Sequence, residues 1–215
     1  DWRTATDSLS NAIDLHPNDA VNANFYGDLL YTIGNYQQAE IYEKRAAELD
    51  PLSAANQHEL ALVYGLLGRL PDAIALERVA IQLNPDFQNA NSALARMLLE
   101  SGEYRELDKL MEEQGAAMGE RFSLWMESRR QIIAGNLESA RKAAAQLLQI
   151  AGEQGQSKVS AAMLFASLKE DDIAASLVEK AYAEVDPILV SPLYFFLPED
   201  WPGLPMLQQA LDNPD

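Results

Sequence analysis

Apolar positions in this chain recur at the three- and four-residue intervals of an amphipathic helix, in blocks that stop and restart on a fixed schedule. One block carries Tyr26 and Leu30 and closes at Gly34; the next carries Ala39, Ala46 and Leu49 and closes at Pro51. The following two carry Leu60-Ala61 and Tyr64 up to Gly68, then Ala73-Ile74, Ala80 and Leu83 up to Pro85. No stretch alternates with the period of two that a half-buried strand requires. Pro17, Pro51 and Pro85 stand 34 residues apart, and Gly34, Gly68 and Gly102 repeat that interval in a second register. Each turn glycine, Gly135 included, precedes a residue expected to stop a helix by 17 positions: Pro51, Pro85, Gly119 and Gly152. The schedule predicts antiparallel helix pairs in an all-α chain. Counted through to Pro187, it gives a half unit at 1–17, five units at 18–51, 52–85, 86–119, 120–152 and 153–187, and an extension at 188–215. The last unit has no turn glycine, so its turn is expected in the polar run Lys169-Glu170-Asp171-Asp172.

Small residues also recur inside the units: Gly27, Ala61 and Ala95 on first helices, and Ala39, Ala73 and Ala140 on second helices. Small side chains at those places let two helix axes approach closely, with larger apolar residues filling the space around the crossing. Together with the 34-residue period, these residues resemble the tetratricopeptide repeat (TPR) consensus, most closely over 18–107. Leu107 departs from the pattern at a small-residue place, Gln114 at a second, and Ala23, Gln57 and Asn91 stand where the consensus has tryptophan. The resemblance implies an α-solenoid, with a concave surface lined by first helices and a proline-rich C-terminal segment capping the stack.

Charge narrows the function classes. Thirty-three acidic residues against 16 basic give a net charge of −17, which repels nucleic-acid backbones and anionic lipid headgroups. Direct nucleic-acid binding and membrane insertion by this segment are therefore not expected, and no apolar run approaches the roughly 20 residues of a membrane span. Without cysteine there is no disulfide, thiolate metal site or cysteine nucleophile. The compartment stays open between cytoplasm and periplasm.

Both ends carry expectations of their own. Residues 4–15 read as a second helix whose first-helix partner is missing, with Ala5, Leu9, Ala12 and Ile13 on its apolar side, which suggests a piece of a longer polypeptide. Near the other end Leu193-Tyr194-Phe195-Phe196-Leu197 is apolar enough to cover the open end of the stack. The segment Asp200-Trp201-Pro202-Gly203-Leu204-Pro205 resembles the C-terminal region of bacterial multidomain regulators that place a winged-helix or nucleotide-cyclase module ahead of TPR units.

Carried onto this sequence, the resemblance gives candidate contacts on the concave face: Asn24, Asp28 and Tyr31 in the first full unit, His58 and Leu62 in the second, Ser92, Arg96 and Glu100 in the third, and Trp125 with Arg129 in the fourth. Trp125 fits either an anchor for a peptide beside Arg129 or a buried stripe with Phe122, Met126, Ile132 and Ile133. Second helices face outward or into the stack, so Glu43 is expected to lie away from the site. The carboxylate clamp of chaperone adaptors needs lysine, arginine and asparagine on successive first helices, and Arg96 alone matches in charge. His16 and His58 are the two histidines, and neither sits in a motif for catalysis; Glu170-Asp171-Asp172 lacks the glycine-bearing loop of a calcium site. No cofactor or metal is implied. The reading is a non-catalytic scaffold or adaptor that binds a protein or peptide, with a sensory domain of a larger bacterial signalling protein as the alternative.

Overall fold

The computed structural model describes residues 2–153 and 158–184. Among them are eleven helices and no strand: α1 (Trp2–Leu15), α2 (Ala20–Thr32), α3 (Tyr36–Leu49), α4 (Ala54–Leu66), α5 (Leu70–Leu83), α6 (Gln88–Ser101), α7 (Tyr104–Met118), α8 (Glu120–Ile133), α9 (Leu137–Glu153), α10 (Val159–Ser167) and α11 (Asp171–Ala183). They divide into two compact units, one ending at Ala117 and the other beginning at Met118. The expected capping segment at 188–215, with its apolar run and the Asp200–Pro205 stretch, lies outside the described residues. No described helix is long and apolar enough to cross a membrane.

Helix starts and stops follow local chemistry. Asp19 caps α2, its Oδ1 accepting from the amides of Val21 at 2.9 Å and Asn22 at 3.2 Å, and the Ser53 hydroxyl does the same for Asn56 in α4 at 3.2 Å. Four of the five turns within pairs hold a glycine in the left-handed region, Gly68 at φ 75° for example, where a Cβ would strain the backbone. One backbone bond closes all five turns in the same way: Asn35 to Leu30, Arg69 to Tyr64, Glu103 to Leu98, Asn136 to Gln131 and Glu170 to Phe165, at 2.8–2.9 Å. In the fifth turn Lys169 adopts the glycine conformation, at φ 60°. Gly152 departs from expectation: α9 runs through it to Glu153. Glycine keeps the amide that proline lacks, so a helix passes through it at a cost of about 1 kcal/mol.

In the first unit α2 packs on α3 and α4 on α5, with α3 against α4 and α5 against α6 joining successive pairs. Ala39, Ala61, Ala73 and Ala95 have no exposed surface, and Leu60, Val63, Ile74, Leu94 and Leu98 are buried on the same helices. Gln57 and Asn91 occupy the tryptophan places of the consensus and are buried for a polar reason. Each donates its side-chain amide to a carbonyl six residues back, Pro51 at 3.2 Å and Pro85 at 3.0 Å, tying a first helix to the turn that precedes it. Ala5, Leu9 and Ile13 of α1 pack on Tyr26, Leu29 and Leu30 of α2.

The second unit pairs α8 with α9 and α10 with α11. Ser128 stands one period after Ala95 and donates to the carbonyl of Ala140 at 2.9 Å, so a hydroxyl replaces a methyl at the crossing without opening it. Ala162 and Ala174 repeat the arrangement and are buried.

Two stability measurements check this packing. Ala61→Leu is expected to cost about 1–3 kcal/mol in urea unfolding by overfilling a closed crossing. Lys169→Gly is expected to gain about 1 kcal/mol by relieving a left-handed lysine.

Candidate functional site

The first helices of the first unit, α2, α4 and α6, bring a set of polar groups together with two acids from second helices. Glu43 of α3 and Glu77 of α5 are 34 residues apart and both have 0% exposure. Each meets the first helix of its own pair 19 residues back. Asn24 donates its Nδ2 to Glu43 Oε2 at 3.0 Å, and His58 Nδ1 lies 2.9 and 3.1 Å from the two Glu77 oxygens. The third unit has Ser92 and Met111 at these places, so the polar pairing belongs to the first two.

Gly27 makes room for the first pair. A Cβ there would stand 2.1 Å from Glu43 Oε1 and 2.6 Å from its carboxyl carbon. Glu43 therefore occupies space that Ala61 fills in the next unit, and its carboxyl lies close enough to that of Asp28 for each to shift the other. Asp28 Oδ1 and Glu43 Oε1 are buried and receive no N–H or hydroxyl from the chain. Two neighbouring carboxyls away from water favour holding a proton between them. Burial, reinforced by the Asp28 charge, pushes Glu43 up to about 10, and burial together with Glu59 pushes Asp28 up to about 7. Of the two carboxyls Glu43, which has no exposed surface, is raised the further.

Around this pair, Tyr31 of α2 donates its hydroxyl to Glu59 Oε2 of α4 at 3.2 Å. Burial raises Glu59, against the opposing influence of His58 and the Tyr31 bond, and burial chiefly raises the Tyr31 hydroxyl. On the other side, burial raises Glu77 to about 7 against its bond to His58. Burial disfavours the His58 imidazolium, but the bond and charge of Glu77 outweigh it and the histidine is raised. Arg96 of α6 is half-buried, and desolvation lowers it to about 10 against the pull of Glu77. Positive charge thus gathers at Glu77. Among the described residues none of Asp28, Glu43 and Glu59 forms an ion pair.

Solved structures with the same architecture include PilW, a type IV pilus biogenesis factor, at TM-score 0.64 and 16% identity over 90% of this chain and 87% of that one. MamA aligns at TM-score 0.57 and 21% identity, covering 72% and 91%, and YrrB, a TPR protein with an unusual peptide-binding site, at 0.52 and 16%, covering 89% and 96%. The chain has the tetratricopeptide-repeat fold. A match to a mutant of the Thermobaculum terrenum O-GlcNAc transferase, at TM-score 0.44 and 26% identity, spans 46% of this chain and 19% of that enzyme. No protein-family model matches the sequence, and no curated protein matches it.

Within this TPR framework the sequence-derived candidates fall into distinct groups. Asn24, Asp28, Tyr31, His58 and Arg96 gather in the polar set just described, although His58 is 4% exposed and turned onto Glu77. Ser92, Glu100 and Leu62 are half-buried on the same first helices. Trp125 and Arg129 belong to the second unit and are described with it. Trp125 is 7% exposed and packs in the core with Met126, which decides against its role as a presented anchor; of the other stripe members, Phe122 and Ile132 are half-buried and Ile133 is 42% exposed. Arg129 reaches the Ser167 hydroxyl at 3.5 Å. Glu43, expected to face outward or into the stack, is fully buried, because Gly27 leaves a slot for it between α2 and α3. Glu43, Glu59 and Glu77 were missed. The 34-residue recurrence of glutamate at 43 and 77, where an apolar residue stands at 111, was the available signal.

A raised carboxyl stabilises the fold most below its unfolded value of 4.5, and that contribution is lost as pH rises through the folded value. Urea unfolding at pH 5, 7 and 8.5 is therefore expected to show stability declining with pH. In Glu43→Gln, whose amide replaces the acid proton, the decline is expected to flatten and the variant to exceed the parent at pH 8.5 by about 1 kcal/mol or more.

Proposed function

We propose that the first-helix face of the first unit holds an extended peptide segment of a protein partner, and that the chain is a binding module without catalysis of its own. The observation that carries this reading is the placement of polar groups, Asn24, Asp28, Tyr31, Glu59 and Arg96, on successive first helices, backed by carboxylates at buried second-helix places. Buried charge is costly to a fold, and apolar residues of similar size are commonly neutral or better for stability. A second-helix place that accepts Met111 in one unit and holds glutamate in two others is therefore better explained by recognition than by packing. Catalysis finds no support: neither His16 nor His58 hydrogen-bonds to a hydroxyl among the described residues, and the His58 Nδ1 is occupied by Glu77. The TPR fold, which YrrB shares, agrees with a protein-interaction role.

Probing an array of overlapping 12-residue peptides with the full chain, then measuring affinities by fluorescence anisotropy, checks the reading. Arg96→Ala is expected to weaken binding about tenfold with helicity unchanged, while Glu48→Ala, exposed on α3, leaves affinity as it was. Binding lost equally in both variants, or in neither, would remove the first-helix face from consideration.

A further inference from the structure

We propose that the α2–α4 end of this face receives a lysine or arginine side chain of the bound segment, with Asp28 and Glu59 as the carboxylates that meet it. The inference rests on the peptide-binding reading above and specifies which partner that surface fits.

Charge is distributed unevenly among the polar groups. Glu77 has His58 in contact and Arg96 nearby, whereas the side-chain hydrogen-bond donors to Glu43 and Glu59 are the neutral Asn24 and Tyr31, and the His58 charge reaches Asp28 and Glu59 only through space. Behind Asp28, the fully buried Glu43 leaves its Oε1 without an N–H or hydroxyl from the chain. In the free protein a proton fills that deficit. A cationic N–H group arriving from solvent at Asp28 and Glu59, both half-buried, supplies the missing donors and countercharge. Phe25 stands one period before Glu59 in the same row and is 54% exposed, so an aromatic face is available to the aliphatic stem or the charged head of such a side chain. An acidic ligand would instead have to approach three carboxyl groups that no cation contacts among the described residues.

The groups that face Asp28 are Tyr31 on its own helix, Glu43 of α3, and His58 and Glu59 of α4, with Glu77 and Arg96 beyond them. A cation favours the ionised form of Asp28, so binding releases protons and strengthens as pH rises across neutrality.

The test compares peptides of one sequence that differ at a single central residue, lysine, arginine, norleucine or glutamate, in titration calorimetry with the full chain in two buffers of different ionisation enthalpy. The starting sequence is the strongest binder from the peptide array. The lysine and arginine forms are expected to bind at least about tenfold more tightly than norleucine, to release protons at pH 7, and to gain affinity between pH 6 and 8. Asp28→Asn and Glu59→Gln, near-isosteric and checked for intact helicity, are each expected to remove most of that preference while leaving the norleucine peptide unaffected. Preference for glutamate or for a free carboxylate, still dependent on Arg96, would overturn the cationic assignment and leave the peptide-binding face standing. Absence of binding by every peptide would overturn both.

Discussion

Close approach of paired helices at small side chains is the constraint on which the rest of the first unit depends. With Gly27 or Ala61 on the first helix and Ala39 or Ala73 on the second, the axes come near enough that the next inward residue of the second helix, Glu43 or Glu77, is sealed from solvent. Its side-chain hydrogen-bond partner comes from the first helix of its own pair. That is why Asn24–Glu43 and His58–Glu77 share one sequence separation: the crossing fixes the register, and the register fixes which residues meet.

The two pairs solve the burial of a carboxylate differently. Glu77 lies beside Ala61, turns to His58 and gains a positive partner. Glu43 lies beside Gly27, moves into the space a Cβ would fill, and meets Asp28 instead. Two acids in contact cannot both ionise away from water, so a proton must be held where the neighbouring unit holds an imidazole. Three equivalent places, Gly27 against Ala61, Asn24 against His58 and Asp28 against Leu62, separate a site with an internal cation from one with unmet demand for donors. The consequence for recognition is a surface whose charge deficit sits at α2 and α4, while His58 pairs with Glu77 and Arg96 of α6 lies near it.

Much of the architecture was legible in the sequence because turns are made by local chemistry. Gly34, Gly68, Gly102 and Gly135 mark places where the backbone must turn left-handed, and the helix ends fall beside them. Lys169 could be placed to within its polar run, since spacing located the turn when residue type did not. Gly152 misled because glycine within a helix and glycine after one are the same letter. The site was legible by half: first-helix positions could be counted, but a glutamate on a second helix reads as a solvated residue unless the slot opposite is recognised. Trp125 shows the converse, an aromatic whose type suggests an anchor and whose packing makes it core.

Protonation of Glu43 in the folded protein at neutral pH is the physical centre of this description, and carbon-13 NMR of the glutamate side-chain carboxyls observes it directly. With the resonance assigned through Glu43→Gln, its shift is predicted to remain that of the acid form through pH 7 and to titrate far above the ordinary 4.5. A Glu43 resonance that ionises in the ordinary carboxyl range, with Asp28 doing the same, would contradict the shared proton and the donor deficit inferred from it.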